Sequence, residues 1–123
     1  AILESKAPVI NGDGSHSRDF TFVDNAVQAN IAALLTTSKD AVNQVYNIAC
    51  GEQTSLVQLY DALRTEAGST VAPQFGPERA GDVKHSLADV SKAKQLLGYH
   101  PAVTVSDGLK TTFNWYKSNP DRL

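Results

Sequence analysis

Apolar positions recur along this chain with two alternating periods, and the switches between them predict its elements. Residues 7–11 form a short apolar run that ends in the turn Asn11-Gly-Asp-Gly14, and residues 19–23 alternate polar with aromatic or branched side chains; both read as strands. From Asn25 to Thr37, Val27, Ile31, Leu34 and Leu35 recur at helical spacing, with Asp24 placed as N-cap. Residues 44–49 alternate again and predict a third strand that ends before Gly51. Ser55 and Gln58 have capping-box spacing, and Leu56, Leu59, Tyr60 and Leu63 then make one helix face that stops near Gly68.

Residues 70–75 read as extended, and Pro77 and two glycines make residues 76–82 a loop. Residues 86–88 predict a short strand. Asp89 opens a helix through Val90, Ala93, Leu96 and Leu97, closed by Gly98 with Pro101 beyond. A last helix runs from Ser106, carries Leu109, Thr112, Phe113 and Tyr116 on one side, and stops at Asn119-Pro120. Helices and strands interleave without repeats or a linker, so residues 1–123 read as a single small mixed α/β domain of about four helices and several short strands.

Composition narrows the partners. The chain is 41% hydrophobic and 20% charged, ordinary for a globular domain and outside the ranges of disordered or collagenous chains. Eleven basic residues face thirteen acidic ones for a net charge of −2, and the basic ones are scattered, which argues against nucleic-acid binding. The longest apolar run, residues 31–35, falls far short of the roughly 20 residues of a membrane helix. The single Cys50 has no cysteine to pair with and no zinc-ligand spacing, which fits a cytoplasmic address. The absence of methionine, together with an opening free of signal-peptide character, leads to the expectation that the chain is part of a longer one.

Two arginines stand in settings suited to an anion: Arg18 beside Asp19, and Arg79 in the loop with Gly81 and Asp82. A guanidinium offers a rigid fork of donors matched to phosphate oxygens, a neighbouring glycine lets a ligand approach, and a carboxylate such as Asp82 accepts sugar hydroxyls. The competing reading is a pair of solvated surface ion pairs of little energetic weight. Asn11-Gly-Asp-Gly-Ser15 lacks the third glycine and the following helix of a dinucleotide loop and reads as a plain turn. His16, His85 and His100 lack metal-ligand spacing; His85 is a conceivable acid or base but reads first as exposed or hydrogen-bonded. Ser17, Ser55 and Ser86 have no nucleophile-elbow context. Tyr60 and Tyr116 read as core, with Trp115 partly exposed beside them.

Taken in order, residues 12–24 (GDGSHSRDFTFVD), 46–51 (YNIACG), 79–83 (RAGDV) and 89–101 (DVSKAKQLLGYHP) resemble four signatures of the extended short-chain dehydrogenase/reductases that act on nucleotide sugars. Within that family the likeness is closest to bacterial UDP-N-acetylglucosamine 4-epimerases of surface-polysaccharide pathways, through residues 10–14, 43–49 and 81–89. The resemblance implies that Arg18 and Arg79 bind a diphosphate, that Asp82 binds the uridine ribose, and that the backbone around Val9 and Asn11 binds uracil. Ser86 falls where such enzymes gate the hexose, and its small side chain points to N-acetylhexosamines.

The family's NAD-dependent chemistry uses a Tyr-x-x-x-Lys pair and a glycine fingerprint, and this sequence has neither. The chain therefore resembles the substrate-binding lobe alone, without its Rossmann domain. The resemblance implies a UDP-sugar partner, NAD in a full-length homodimeric parent, and neither catalysis nor NAD binding by these residues alone. It also implies an apolar face normally covered by the amino-terminal half, through which the lone lobe self-associates. A lobe of another nucleotide-sugar dehydratase, decarboxylase or reductase, and a non-catalytic binding module, are the alternatives.

Overall fold

A computed structural model of the chain describes residues 1–122. A 3₁₀ turn at Ile2–Glu4 precedes β1 (Val9–Asn11), β2 (Ser17–Arg18), α1 (Val23–Leu35), β3 (Thr54–Ser55), α2 (Leu56–Ala67), β4 (Gln74–Gly76), α3 (Ser91–Leu97) and α4 (Val105–Ser118), and a second 3₁₀ turn follows at Pro120–Arg122. The result is the small mixed α/β fold with four helices that the patterning predicts. Its strands make two separate pairs: β1 runs parallel to β4 with Ile10 opposite Phe75, and β2 runs antiparallel to β3 with Arg18 opposite Thr54.

Helix α2 follows its sequence signals. Ser55 Oγ accepts the Gln58 amide while the Gln58 side chain accepts the Ser55 amide, and Gly68 closes the helix at φ 60°. Such a cap contributes about 1 kcal/mol. The preceding amides, of Leu56 and Val57, donate to the carbonyls of His16 (3.0 Å) and Gly14 (3.1 Å), so the start of α2 is stapled onto the turn between β1 and β2. Gly14 makes that approach possible, because at φ 77° a Cβ there would drive into the Val57 side chain.

Four expectations about the elements are corrected. Residues 19–22 form no strand: β2 ends at Arg18, because the Asp19 carboxylate leaves the strand direction to accept backbone amides of distant loops. Helix α1 then starts at Val23 with Phe22 as N-cap, and Asp24 lies inside the first turn, where it complements the helix dipole instead of capping it. Residues 86–88 form no strand either; pairing there is confined to a single parallel bridge between Ser17 and His85. Residues 44–49 keep the side-chain alternation of a strand, with Tyr46 and Ile48 packed inward and Val45 86% exposed, but no second strand lies beside them among the described residues. Without a ladder, Tyr99 Oη anchors the segment by donating to the Ala49 carbonyl at 2.9 Å.

The core is built on Ala29 of α1, Ala93 of α3 and Tyr99, with Tyr46, Ile48 and Leu97 against them. Helix α1 turns inward its small face, Asn25 and Ala29, and leaves the large residues of its predicted stripe outside: Val27, Ile31, Leu34 (82% exposed) and Leu35. Tyr60 is buried as expected, whereas Tyr116 is partly exposed, edge to face with Trp115 at 5.0 Å. None of the described helices is long and apolar enough to cross a membrane.

Candidate functional site

A groove of about 280 Å³ opens between β1 and α2. Pro8, Val9, Ile10 and Asn11 form one wall, the α2 residues Leu56, Leu59, Tyr60 and Leu63 form an apolar floor, and Arg79 and Asp82 close the rim. Four of the six residues singled out in the sequence thus line one concavity. A larger cavity, about 370 Å³, shares Tyr60 and Leu63 but is lined by Ile2, Leu3, Leu109, Phe113 and Tyr116 and has no charged side chain. A third cavity, about 470 Å³, carries Ser5, Ser69, Thr70 and Lys117, but an arginine and a carboxylate meet on the rim of the Arg79 groove.

The wall supplied by β1 has a free edge. In a parallel ladder alternate residues turn both backbone groups to the partner strand. Gln74 N–H donates to Pro8 O at 2.8 Å and Gly12 N–H to Gly76 O at 3.0 Å, so Ile10 is the residue bonded to β4 between them. Val9 and Asn11 therefore direct their N–H and C=O groups away from β4, a donor and acceptor array suited to the edge of a planar base.

The charged rim is assembled from two distant segments. Arg18 Nη2 donates to Asp82 Oδ1 at 2.6 Å, and Arg18 Nη1 donates to the Ser17 carbonyl at 2.8 Å. Asp82 closes a turn by donating its amide to Arg79 O at 3.2 Å, with Gly81 at φ 79°, so Arg79 and Asp82 are held on one tight bend. The Arg79 side chain is exposed and makes no ion pair among the described residues. The ion pair modifies the role expected of Asp82: in this state its carboxylate is engaged by Arg18, and a ribose hydroxyl would share it. About a third of each partner's side chain is accessible, so the pair is screened and exchangeable.

Ser86 does not line the groove. It is exposed and attached beside Arg18, its amide donating to the Ser17 carbonyl at 3.2 Å. His85 is hydrogen-bonded through Nδ1 to Ser17 Oγ at 2.9 Å, in keeping with a structural role. The turn at 12–15 is a plain one, in which Asp13 Oδ1 accepts the Ser15 amide at 2.9 Å; the Ser15 contacts also lower the Asp13 carboxyl from its usual range. Two features escaped the sequence reading. The α2 residues of the groove floor looked like ordinary core, since apolar periodicity does not distinguish a face that packs from one that lines a cleft. Asp19 looked like the partner of Arg18, but its oxygens accept the amides of Cys50, Gly51 and Ala88.

The residues present do not fit a dinucleotide. Its pyrophosphate site needs a glycine loop that leads from a strand into a helix. Here the Gly12–Gly14 turn leads from β1 into β2, and the start of α2, the helix it touches, has its first amides already engaged. No group of side chains able to hold a metal occurs among the described residues.

Residues 1–112 match the family model described as GDP-mannose 4,6 dehydratase. The chain is 33% identical over 118 residues to a putative UDP-glucose 4-epimerase of Methanocaldococcus jannaschii, an alignment covering 96% of this chain and 37% of that protein. It superposes on a crystal structure of UDP-glucuronic acid 4-epimerase from Bacillus cereus, in complex with UDP-glucuronic acid and NAD, with a TM-score of 0.88 and 36% identity over 96% of this chain and 37% of that one. A UDP-N-acetylglucosamine 4-epimerase from Methanobrevibacter ruminantium, in complex with UDP-N-acetylmuramic acid, gives a TM-score of 0.87 and 33% identity over 97% and 37%. The chain thus spans little more than a third of the length of such relatives, and it belongs to the GDP-mannose 4,6 dehydratase family of extended short-chain dehydrogenase/reductases.

Proposed function

We propose that this chain is the substrate-binding part of an NAD-dependent UDP-sugar 4-epimerase. The observation that carries the reading is the convergence of Val9, Asn11, Arg79 and Asp82 on one groove, with Arg18 tied to its rim through Asp82. The outward backbone groups of Val9 and Asn11 pair with uracil, the Leu56, Leu59 and Leu63 floor excludes water from the base and ribose, and Arg79 and Arg18 hold the diphosphate. Asp82 orients Arg18 and accepts a ribose hydroxyl. NAD and the groups that move hydride and proton belong to the remainder of a longer protein, so these residues bind and orient substrate and carry no bond-breaking step.

Calorimetry with the purified chain tests the reading. UDP should bind at least tenfold more tightly than UMP, and Arg79→Ala should remove about ten- to hundredfold of UDP affinity, the worth of a charge-assisted hydrogen bond. Equal heats for UDP and UMP, with Arg79→Ala indistinguishable from the parent chain, would remove the basis for the clamp. Turnover of UDP-N-acetylglucosamine by the chain with NAD would contradict the assignment of catalysis to other residues.

The finer proposal is that the sugar is an N-acetylhexosamine, interconverted between its gluco and galacto forms for surface polysaccharides. Ser86, small and exposed beside Arg18, supports it by leaving room for an acetamido group. Ser86→Tyr should weaken UDP-N-acetylglucosamine while sparing UDP-glucose. A second reading, a dehydratase, is favoured by the description of the matched family. Tighter binding of GDP than of UDP would favour it.

A further inference from the structure

We infer that Asp19 is a positioning residue for the diphosphate clamp: its carboxylate locks the strand bearing Arg18 to the segment bearing Asp82 and Ser86. The inference rests on the proposed function above, because it concerns the geometry of the same rim.

Asp19 Oδ1 accepts the Cys50 amide at 3.0 Å and the Gly51 amide at 3.2 Å. Oδ2 accepts the Gly51 amide at 3.0 Å and the Ala88 amide at 3.4 Å. One side chain thus fastens three segments that are far apart in sequence, through bonds strengthened by its charge. Its position explains why this matters. Pairing between the two rim segments is short: Ser17 N–H donates to Lys84 O at 2.9 Å, Ser86 N–H donates to Ser17 O at 3.2 Å, and the ladder then stops. Arg18 and Asp82 meet across that short pairing. Asp19, the next residue, takes over where the ladder ends and holds Ala88 by a side chain instead of a strand. The Cys50–Gly51 turn, which binds both oxygens, fixes the carboxylate so that its second oxygen is aimed at Ala88. Release of Ala88 frees Leu87 and Ser86 and lets the Arg18–Asp82 geometry drift.

Asp19→Asn removes the Ala88 link while leaving the turn partly held: the amide keeps one carbonyl oxygen for the Cys50 and Gly51 amides, but its N–H₂ faces the Ala88 amide and the second Gly51 contact, donor against donor. The readout is the ratio of UDP to UMP affinity, measured by calorimetry on the chain itself. A positioning role predicts that Asp19→Asn leaves UMP affinity within about twofold, lowers the ratio about tenfold toward that of Arg18→Ala, and adds nothing when combined with Arg18→Ala. Amide exchange at Ala88 should quicken while Val103 exchange is unchanged. An unchanged ratio in Asp19→Asn, alongside a lowered one in Arg18→Ala, would overturn the inference and leave the proposed function standing. Equal losses of UMP and UDP affinity would show a merely structural residue and also overturn it. If Asp19→Asn does not fold, Asp19→Glu provides the same ratio test with charge retained. A parent chain without UDP heat, or an Arg18→Ala chain with an unchanged ratio, strikes the proposed function itself.

Discussion

Replacing Asn25 by alanine removes a side chain that hydrogen-bonds α1 to Val103, in the segment ahead of α4. Asn25 is completely buried. Its Nδ2 donates to the Val103 carbonyl at 2.8 Å and its Oδ1 accepts the Val103 amide at 3.0 Å, so it pairs both backbone groups of one residue, 78 positions away. In the alanine variant the Val103 amide loses its partner and the carbonyl keeps only the long contact from Cys50 Sγ at 3.8 Å, in a site that water reaches only partly, at roughly 1 kcal/mol each. The three heavy atoms removed leave a void worth about 0.7 kcal/mol at ~24 cal/mol per Å³. The expected loss is about 3 kcal/mol, or ~12 °C in melting temperature at about 4 °C per kcal/mol for a chain of this size. Thermal unfolding followed by circular dichroism reads the effect, and amide exchange locates it, since Val103 should lose protection before the α2 amides do. Asn25→Asp sharpens the test: it keeps the acceptor but sets an oxygen against Val103 O, so its deficit should narrow as acidification restores a donor proton. A melting temperature within 3 °C of the parent for Asn25→Ala, where a drop of about 12 °C is expected, would refute the reasoning.

Gly14→Ala should cost about 2–4 kcal/mol by combining a left-handed backbone with a collision against Val57, and Gly14→Ala/Val57→Ala should relieve the steric part alone; a melting temperature near that of the parent would contradict this. Burial raises the Cys50 thiol and the Tyr99 phenol, so the folded chain holds these protons more tightly than the unfolded one. That stability is present below the ordinary values of about 8.5 and about 10 and is lost as pH rises through the folded values. The melting temperature should therefore fall above pH ~9, and less steeply in Cys50→Ala; a curve flat to pH ~10.5 would exclude it. The exposed Val27, Ile31, Leu34 and Leu35 face of α1 should drive concentration-dependent association that Leu34→Glu reduces, as read by light scattering; a strict monomer in the parent chain would contradict it.

The sequence disclosed the elements whose signals are local. The Ser55–Gln58 box, Gly68 and Gly98 mark ends that depend only on nearby residues, and they stand where the pattern puts them. Residues 44–49 were misread because a strand is a relation between two segments. Their alternation is real in side-chain placement, yet a ladder requires a neighbour that no local pattern can supply. The α1 stripe marks its helix correctly, but periodicity identifies an apolar face without saying whether this chain covers it, and here the small residues Asn25 and Ala29 face inward. At the site, the residue types that suit an anion were legible in Arg18, Arg79 and Asp82. The Arg18–Asp82 contact and the use of Asp19 oxygens on Cys50, Gly51 and Ala88 were not, because they join positions more than thirty residues apart.

The stapling of α2 onto the β1–β2 turn determines which parts of recognition a mutation can alter. Helix starts are ready-made anion sites, but here the amides of Leu56, Val57 and Gln58 are already committed to His16, Gly14 and Ser55 respectively. On the proposed reading, the diphosphate must then be held by guanidinium side chains, each removable by a single codon change and each weakened by salt. The base, by contrast, is met by main-chain groups of Val9 and Asn11, whose N–H donors only a proline can delete and whose carbonyls no substitution removes. Variation should therefore reshape the phosphate and sugar end readily and leave preference for the base comparatively fixed.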